Sequence, residues 1–273
     1  MTVAATTDDT EHAEPAEPAE PAEPAEPAEP AENADRAKHT DASPPAPRRR
    51  GRIALAVSVF GELLITAGLV LGLFVVYSLW WTNVIADRRA DQQGDKVRDT
   101  WAAEDTGPGA LDTKNGIGFL HVPAMNNGEV LVEKGTSSKI LNDGVAGYYT
   151  DPVKATLPTS GKDGNFSLAA HRDGHGAKFH NIDKLKKGDP IVFETRDNWY
   201  VYTVYAVLPE TSKYNVEVLG AVPKESGRKK AGQYITLTTC TPVYTSRYRY
   251  VVWGELERVE KVDADRTPPE ELR

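Results

Sequence analysis

Between Ile53 and Trp81 the chain is apolar, with no Lys or Arg and a single charge, Glu62. A helix of about 20 such residues spans a bilayer, so the stretch predicts one transmembrane helix. Beyond it the pattern changes. Residues 83–112 are polar and charged, with Gly107-Pro108-Gly109 near their end, and read as a stalk. From about Thr113 to about Glu260 the apolar positions come in short runs: Ile117–Val122, Glu129–Glu133, Phe166–Ala170, Pro190–Glu194, Trp199–Leu208, Tyr234–Thr239 and Tyr248–Leu256. Asn126-Asn127-Gly128, Asp163-Gly164-Asn165, Lys187-Gly188-Asp189 and Arg196-Asp197-Asn198 break them. Runs rich in β-branched and aromatic residues at this spacing predict a mainly β domain over 113–260, a sandwich or a barrel. Helical signals there are confined to a turn or two at Ser137–Leu141 and near Phe179–Leu185. Residues 261–273 read as a polar C-terminal tail.

Charge divides the chain differently. The net charge of −8 is concentrated in residues 1–47, where twelve acidic residues face only Arg36 and Lys38. The remainder is nearly balanced and gives no electrostatic case for nucleic acid. Ala-Glu-Pro recurs six times from Ala13 to Pro30. Lacking large apolar residues, this tail cannot bury enough surface to offset chain ordering, and a disordered, solvated spacer is expected. Arg48, Arg49, Arg50 and Arg52 immediately precede the apolar run, making 48–82 a basic flank plus anchor. The positive-inside bias then puts the N-terminus in the cytoplasm and everything after Trp81 outside. A cleaved signal peptide ending near Val84-Ile85-Ala86 is the competing reading, but the apolar run exceeds the 7–15 residues of an h-region. Glu62 is expected at the cytoplasmic interface, since Leu63–Trp81 alone is nearly long enough to span.

Cys240 is the only cysteine in 273 residues. On an exported domain it cannot form an intramolecular disulfide, which leaves a reactive thiol, a small buried hydrophobe or an intermolecular bridge. A cysteine nucleophile needs a proton-transfer partner and a donor for the oxyanion. His121 lies inside a strand pattern, where a structural role is expected. His175 and His180 fall in or beside the loop Asp173–Lys178. His171 ends the strand pattern Ser167–Ala170, where a rigid element hands over to a loop. The three loop-region histidines lack carboxylate or cysteine partners at metal-ligand offsets, so no metal site is expected from them. Arg247 and Arg249 follow Cys240 with the same parity, and spacing alone does not choose between them or exclude solvent exposure of both.

Three ordered motifs carry a family resemblance. Thr236-Leu237-Thr238-Thr239-Cys240 resembles the TLxTC signature of sortases. Gly164–Arg172 is similar to the family's strand ending in a His-Arg dipeptide, and Arg249 stands where the sortase arginine belongs. Cys240-Thr241-Pro242, the Gly61-Glu62 pair and Leu79-Trp80-Trp81-Thr82 resemble class E sortases of high-GC Gram-positive bacteria. Two departures stand out: Ala170 occupies the place of a usual Gly, and Tyr148-Tyr149-Thr150-Asp151 replaces a Pro-Gly segment.

The resemblance implies a closed eight-stranded β-barrel with short helices and a membrane-anchored cysteine transpeptidase. Cys240, His171 and Arg249 would be catalytic, with Thr238, Thr239, Thr241 and Tyr244 contacting substrate. Partners would be proteins bearing an LAxTG-like C-terminal sorting signal, cleaved between Thr and Gly, and a peptidoglycan precursor amine. No cofactor or metal is implied. Calcium activation has no support in Pro209–Gly232, whose Glu210, Glu217 and Glu225 are widely spaced among lysines. The alternatives are a membrane-tethered, non-catalytic β-domain serving as adhesin or scaffold, and another cell-wall cysteine transpeptidase. An L,D-transpeptidase would place a glycine before its cysteine, where this chain has Thr239.

Overall fold

Eight strands close into a barrel in the computed structural model, which describes residues 51–103, 116–126 and 128–273. The strands are β1 (Gly118–His121), β2 (Glu129–Lys134), β3 (Ala146–Tyr148), β4 (Gly164–Ala169), β5 (Pro190–Glu194), β6 (Asn198–Ser212), β7 (Gln233–Thr241) and β8 (Tyr248–Lys261). Around the barrel they follow the order β1-β2-β3-β4-β7-β8-β6-β5. The β2–β3 and β4–β7 pairs are parallel; the remaining pairs are antiparallel.

Alternation along the strands sends one set of side chains inward, where Leu120, Phe166, Phe193, Tyr202, Ile235 and Val252 build the core. Phe166 and Phe193 pack with ring centroids 4.8 Å apart. Every strand-like run in the sequence corresponds to an observed strand; β3 is the one the pattern did not reveal. It is short, and Gly147 lies so close to its neighbour that a Cβ there would sit 2.0 Å from the Gly135 carbonyl oxygen. A large apolar residue, the usual mark of a strand, does not fit that position.

The N-terminal half of the described chain is helical. α1 (Arg52–Val76) passes through a π-helical turn, Tyr77–Trp81, into α2 (Thr82–Ala103). Among the described residues this run, Arg52–Ala103, is the one long and apolar enough to cross a membrane. The stalk expected over 83–112 is corrected as far as Ala103: it is a helix whose Ala86, Ala90, Gly94 and Val97 are buried. That stripe repeats at helical spacing, but small residues give it little hydropathic contrast. The repeat tail, 1–47, and residues 104–115 lie outside the described residues. A short helix, α3 (Ser138–Leu141), and a 3-10 turn, Ile182–Lys184, fall where helical signals were expected.

Residues 262–273 are not a free tail. Val262 and Leu272 pack against Val192, Trp199 and Val201. Arg266 reaches the buried carboxylate of Glu194 at 2.6 Å, where Arg98 of α2 (3.1 Å) and His121 of β1 (2.9 Å) converge as well. Burial alone would raise the Glu194 pKa, but hydrogen bonds from His121, Arg98 and Arg266 hold it down to about 2. This network closes the barrel end formed by the β5–β6 turn, and it gives His121 the structural role expected for it. His121, Glu129 and Glu194 have a separation compatible with a cation, but two guanidiniums already neutralise Glu194.

Candidate active site

The opposite barrel end gathers the three candidate catalytic residues. β4 and β7 run parallel with Ala169 paired to Thr238. Carried past the end of β4, that offset would bring Ala170 level with Thr239 and His171 level with Cys240. Two bonds hold this alignment: Ala170 N–H to the Thr238 carbonyl at 3.3 Å, and Thr239 Oγ1 to the Ala170 carbonyl at 2.7 Å. On the other side β7 and β8 are antiparallel, with Cys240 and Arg249 as register partners. Directly opposed residues project to the same sheet face, so the arginine flanks the thiol. Cys240 is unpaired and partly exposed.

The two arginines are now distinguished. Arg247 is exposed, ahead of β8, with its guanidinium 5.1 Å from the Tyr248 ring. Arg249 is half-buried, and its Nη1 donates to the carbonyls of Ser246 (3.2 Å) and Tyr248 (2.9 Å). Those bonds hold a guanidinium that a flexible side chain would otherwise leave mobile in solvent.

His171 Nε2 lies 2.8 Å from Asn142 Oδ1. An amide oxygen only accepts, so in this contact Nε2 carries the proton and Nδ1 is the unprotonated ring nitrogen. Burial lowers the His171 pKa, the nearby His175 ring lowers it further, and Asp173 works in the opposite direction. A largely neutral imidazole at rest suits a group that must both accept and release a proton near neutral pH.

Of the expected substrate contacts, three are built into the frame of the site. Thr238, Thr239 and Thr241 are buried, and their hydroxyls are engaged within the protein. Thr238 donates to the Leu168 carbonyl (3.0 Å) and meets the Tyr149 hydroxyl (3.0 Å). Thr239 holds Ala170, and Thr241 accepts from Arg172 Nη1 at 3.1 Å. They fix the strand end that carries Cys240. Tyr244 is exposed, and its N–H donates to Asp173 Oδ2 at 2.6 Å, tying the loop after Cys240 to the loop after His171.

Asn142 and Tyr149 were not found from the sequence. Asn142 lies beyond α3 and has no motif. Tyr149 belongs to a segment noted only as a departure; burial raises its pKa, and it feels the charges of both Arg249 and Cys240. The phenol is therefore a neutral wall beside the thiol. A cleft of about 790 Å³ lined by Trp101, Arg196, Tyr200 and Lys261 lies at the Glu194 end of the barrel, away from these residues.

The Sortase domain family model matches residues 120–257. This chain belongs to the sortase family. Its members are cysteine transpeptidases. The sortase is 81% identical over 233 residues to Sortase SrtE2 of Streptomyces coelicolor, covering 83% of this chain and 92% of that relative. It is 44% identical over 226 residues to Sortase SrtE1 of the same organism, covering 82% of this chain and 63% of that one. Among solved structures, Sortase E1 from Streptomyces coelicolor with a tripeptide in the active site superposes with a TM-score of 0.54 at 46% identity. That match covers 58% of this chain and 96% of the other. Class E membership and the closed barrel follow.

Proposed function

We propose that this sortase cleaves the Thr–Gly bond of an LAxTG-like sorting signal and joins the released acyl group to a peptidoglycan precursor amine. The observation that carries the reading is the alignment of three strand ends, with Cys240 opposite Arg249 and His171 continuing the β4–β7 register to Cys240. In this reading the Cys240 thiol passes its proton to the free nitrogen of His171, the resulting thiolate attacks the threonine carbonyl carbon, and Arg249 donates hydrogen bonds to the oxyanion. The C–N bond breaks as His171 gives its proton to the departing amine, leaving a thioester on Cys240. The acceptor amine then attacks that thioester, His171 takes the amine's proton, and the thiolate leaves.

The domain organisation expected from the sequence belongs to the same proposal. The Arg-flanked anchor holds a cytoplasmic acidic tail, 1–47, on one side and the catalytic domain, 113–260, outside the cell. A groove built from the Thr241–Arg247 loop, the Pro209–Gly232 segment and residues before Gly164 takes the peptide. The tripeptide bound by the Streptomyces coelicolor relative supports a peptide ligand for this cleft. Alanine at the second signal position keeps an N–H that proline lacks and leaves φ unrestricted, so a groove with a backbone acceptor there separates the two.

The test is a competition between two sorting-signal peptides differing only by Ala or Pro at that position, with an amine acceptor present. Faster turnover of the alanine peptide is expected. Equal or faster turnover of the proline peptide contradicts the specificity and leaves the thioester chemistry standing.

A further inference from the structure

The helix leading out of the apolar segment runs directly into the surroundings of His171. α2 continues α1 without a break. Its small residues let it approach the barrel closely: a Cβ on Gly144, whose φ is +77°, would lie 2.8 Å from the Ala86 carbonyl oxygen. From this docked face, polar groups reach both segments that hold His171. Asn83 Oδ1 accepts from the Gly176 N–H at 2.9 Å. Asp87 Oδ1 pairs with Lys178 Nζ at 2.9 Å, and Arg89 with Asp143 at 3.1 Å.

Gly176 and Lys178 belong to the loop that follows His171, and that loop is unusual. Gly174, His175, Gly176 and Ala177 all have positive φ, at 64°, 47°, 80° and 41°. Left-handed conformations are unfavourable in residues with a Cβ and persist only where the surroundings impose them. The loop's internal bonds include Ala177 N–H to the Gly174 carbonyl (2.8 Å) and Phe179 N–H to the His171 carbonyl (3.0 Å). The Asn83 bond enters at its middle. Its product is the placement of the His175 ring, 5.4 Å from that of His171. Asp143 directly follows Asn142, the Nε2 partner of His171. Arg89–Asp143 is well exposed and contributes little by itself. The Asn83 and Asp87 contacts are the more enclosed.

We propose that Asn83 and Asp87 are positioning residues for His171, acting through Gly176 and Lys178 on the 174–177 turn. The juxtamembrane helix is then part of the active-site architecture as well as a tether. At 1.5 Å per residue, Asp87 lies only about 9 Å along the helix from Trp81, so the catalytic loop is held close to the end of the apolar run. The kinetic side of this proposal rests on the sortase reading of His171; the positional side does not.

The experiment uses the full-length chain in detergent micelles, comparing wild type with Asn83→Ala/Asp87→Ala and with Asp91→Ala, on the exposed face of α2, as control. Three quantities are read: the His171 titration midpoint by NMR of 13C-labelled histidine, kcat and KM for a sorting-signal peptide, and Tm. The charged neighbours that act on His171 are His175 and Asp173, and the Cys240 thiol lies across the continued β4–β7 register from it. The double variant is expected to raise the His171 midpoint toward its ordinary value, because a loosened loop admits water and moves His175 away. It is expected to lower kcat about tenfold or more with KM within twofold, as for a misplaced catalytic group. The control should change none of these. Asp87→Lys should share the defect, and adding Lys178→Asp to it should recover most of the loss.

An unchanged His171 midpoint in the double variant overturns the proposal, even if Tm falls, because the contacts would then support the fold alone. Failure of the charge exchange to recover anything removes Asp87 from it. If the wild-type chain transfers no peptide, the sortase reading fails, and the midpoint shift still decides the positioning claim.

Discussion

Cys240 and Arg249 stand opposite each other across the β7–β8 pair, while Arg247 projects from the loop before it. Arg249→Ala is therefore expected to lower kcat by about 10²–10³, the loss associated with one oxyanion donor. Arg249→Lys should not restore it, since an ammonium cannot reproduce the planar fork of a guanidinium. Arg247→Ala should stay within threefold of wild type. Steady-state kinetics with one peptide checks all three, and the reverse ranking would move the oxyanion role to Arg247.

His171 is tuned by two neighbours of opposite sign. His175→Ala removes a depressing charge, so the His171 midpoint should rise; Asp173→Asn removes a raising one, so it should fall. Histidine NMR titration reads both directly. Movement in the same direction for the two variants would contradict the assigned couplings.

Much of this end of the molecule was legible in the sequence, for identifiable reasons. Cys240 and His171 each end an apolar run, and strand ends are visible wherever alternation stops. The pairing of Cys240 with Arg249 rather than Arg247 was legible only through the motif, because parity leaves a two-residue slide open that the ladder closes. Asn142 escaped because a single side-chain bond to His171 has no periodicity. α2 escaped because its buried stripe is Ala86, Ala90 and Gly94, residues whose contribution is closeness of approach rather than apolar area. The burial of Thr238, Thr239 and Thr241 was not legible, because adjacency to a nucleophile in sequence does not say how far a side chain is enclosed by the neighbouring strands.

Glu133 offers a test of pH dependence. Burial and the nearby Asp143 raise its pKa to about 7, against an ordinary carboxyl near 4.5. The folded state thus binds the proton more tightly than the unfolded chain. The contribution is fully present below about 4.5 and is lost as pH rises through about 7. Glu133→Gln should remove that slope and raise Tm at pH 8, by about 2–4 °C for each kcal/mol recovered. Thermal melts of both proteins between pH 5 and 8 decide it; parallel curves would refute the assignment.

Glu194 carries the opposite sign. Its carboxyl is held down to about 2, so its stabilisation is present above about 4.5 and is lost as pH falls toward 2. Glu194→Gln leaves the charge of Arg266 uncompensated at the barrel end, while Arg98 keeps Glu129, and is expected to cost about 3 kcal/mol. Denaturant unfolding measures this. The rate of Cys240 alkylation should be unaffected, because the network lies at the other end of the barrel.

The thioester on Cys240 is the most direct test of the whole account. Intact-mass spectrometry of the full-length chain, mixed with an LAxTG-type peptide and no acceptor amine, should show an adduct equal to the peptide fragment ending at threonine. Adding an amine should discharge it, and Cys240→Ala should form none while keeping its Tm. Transfer of the peptide by the Cys240→Ala variant, or absence of any adduct on the wild-type chain while product accumulates, would contradict it.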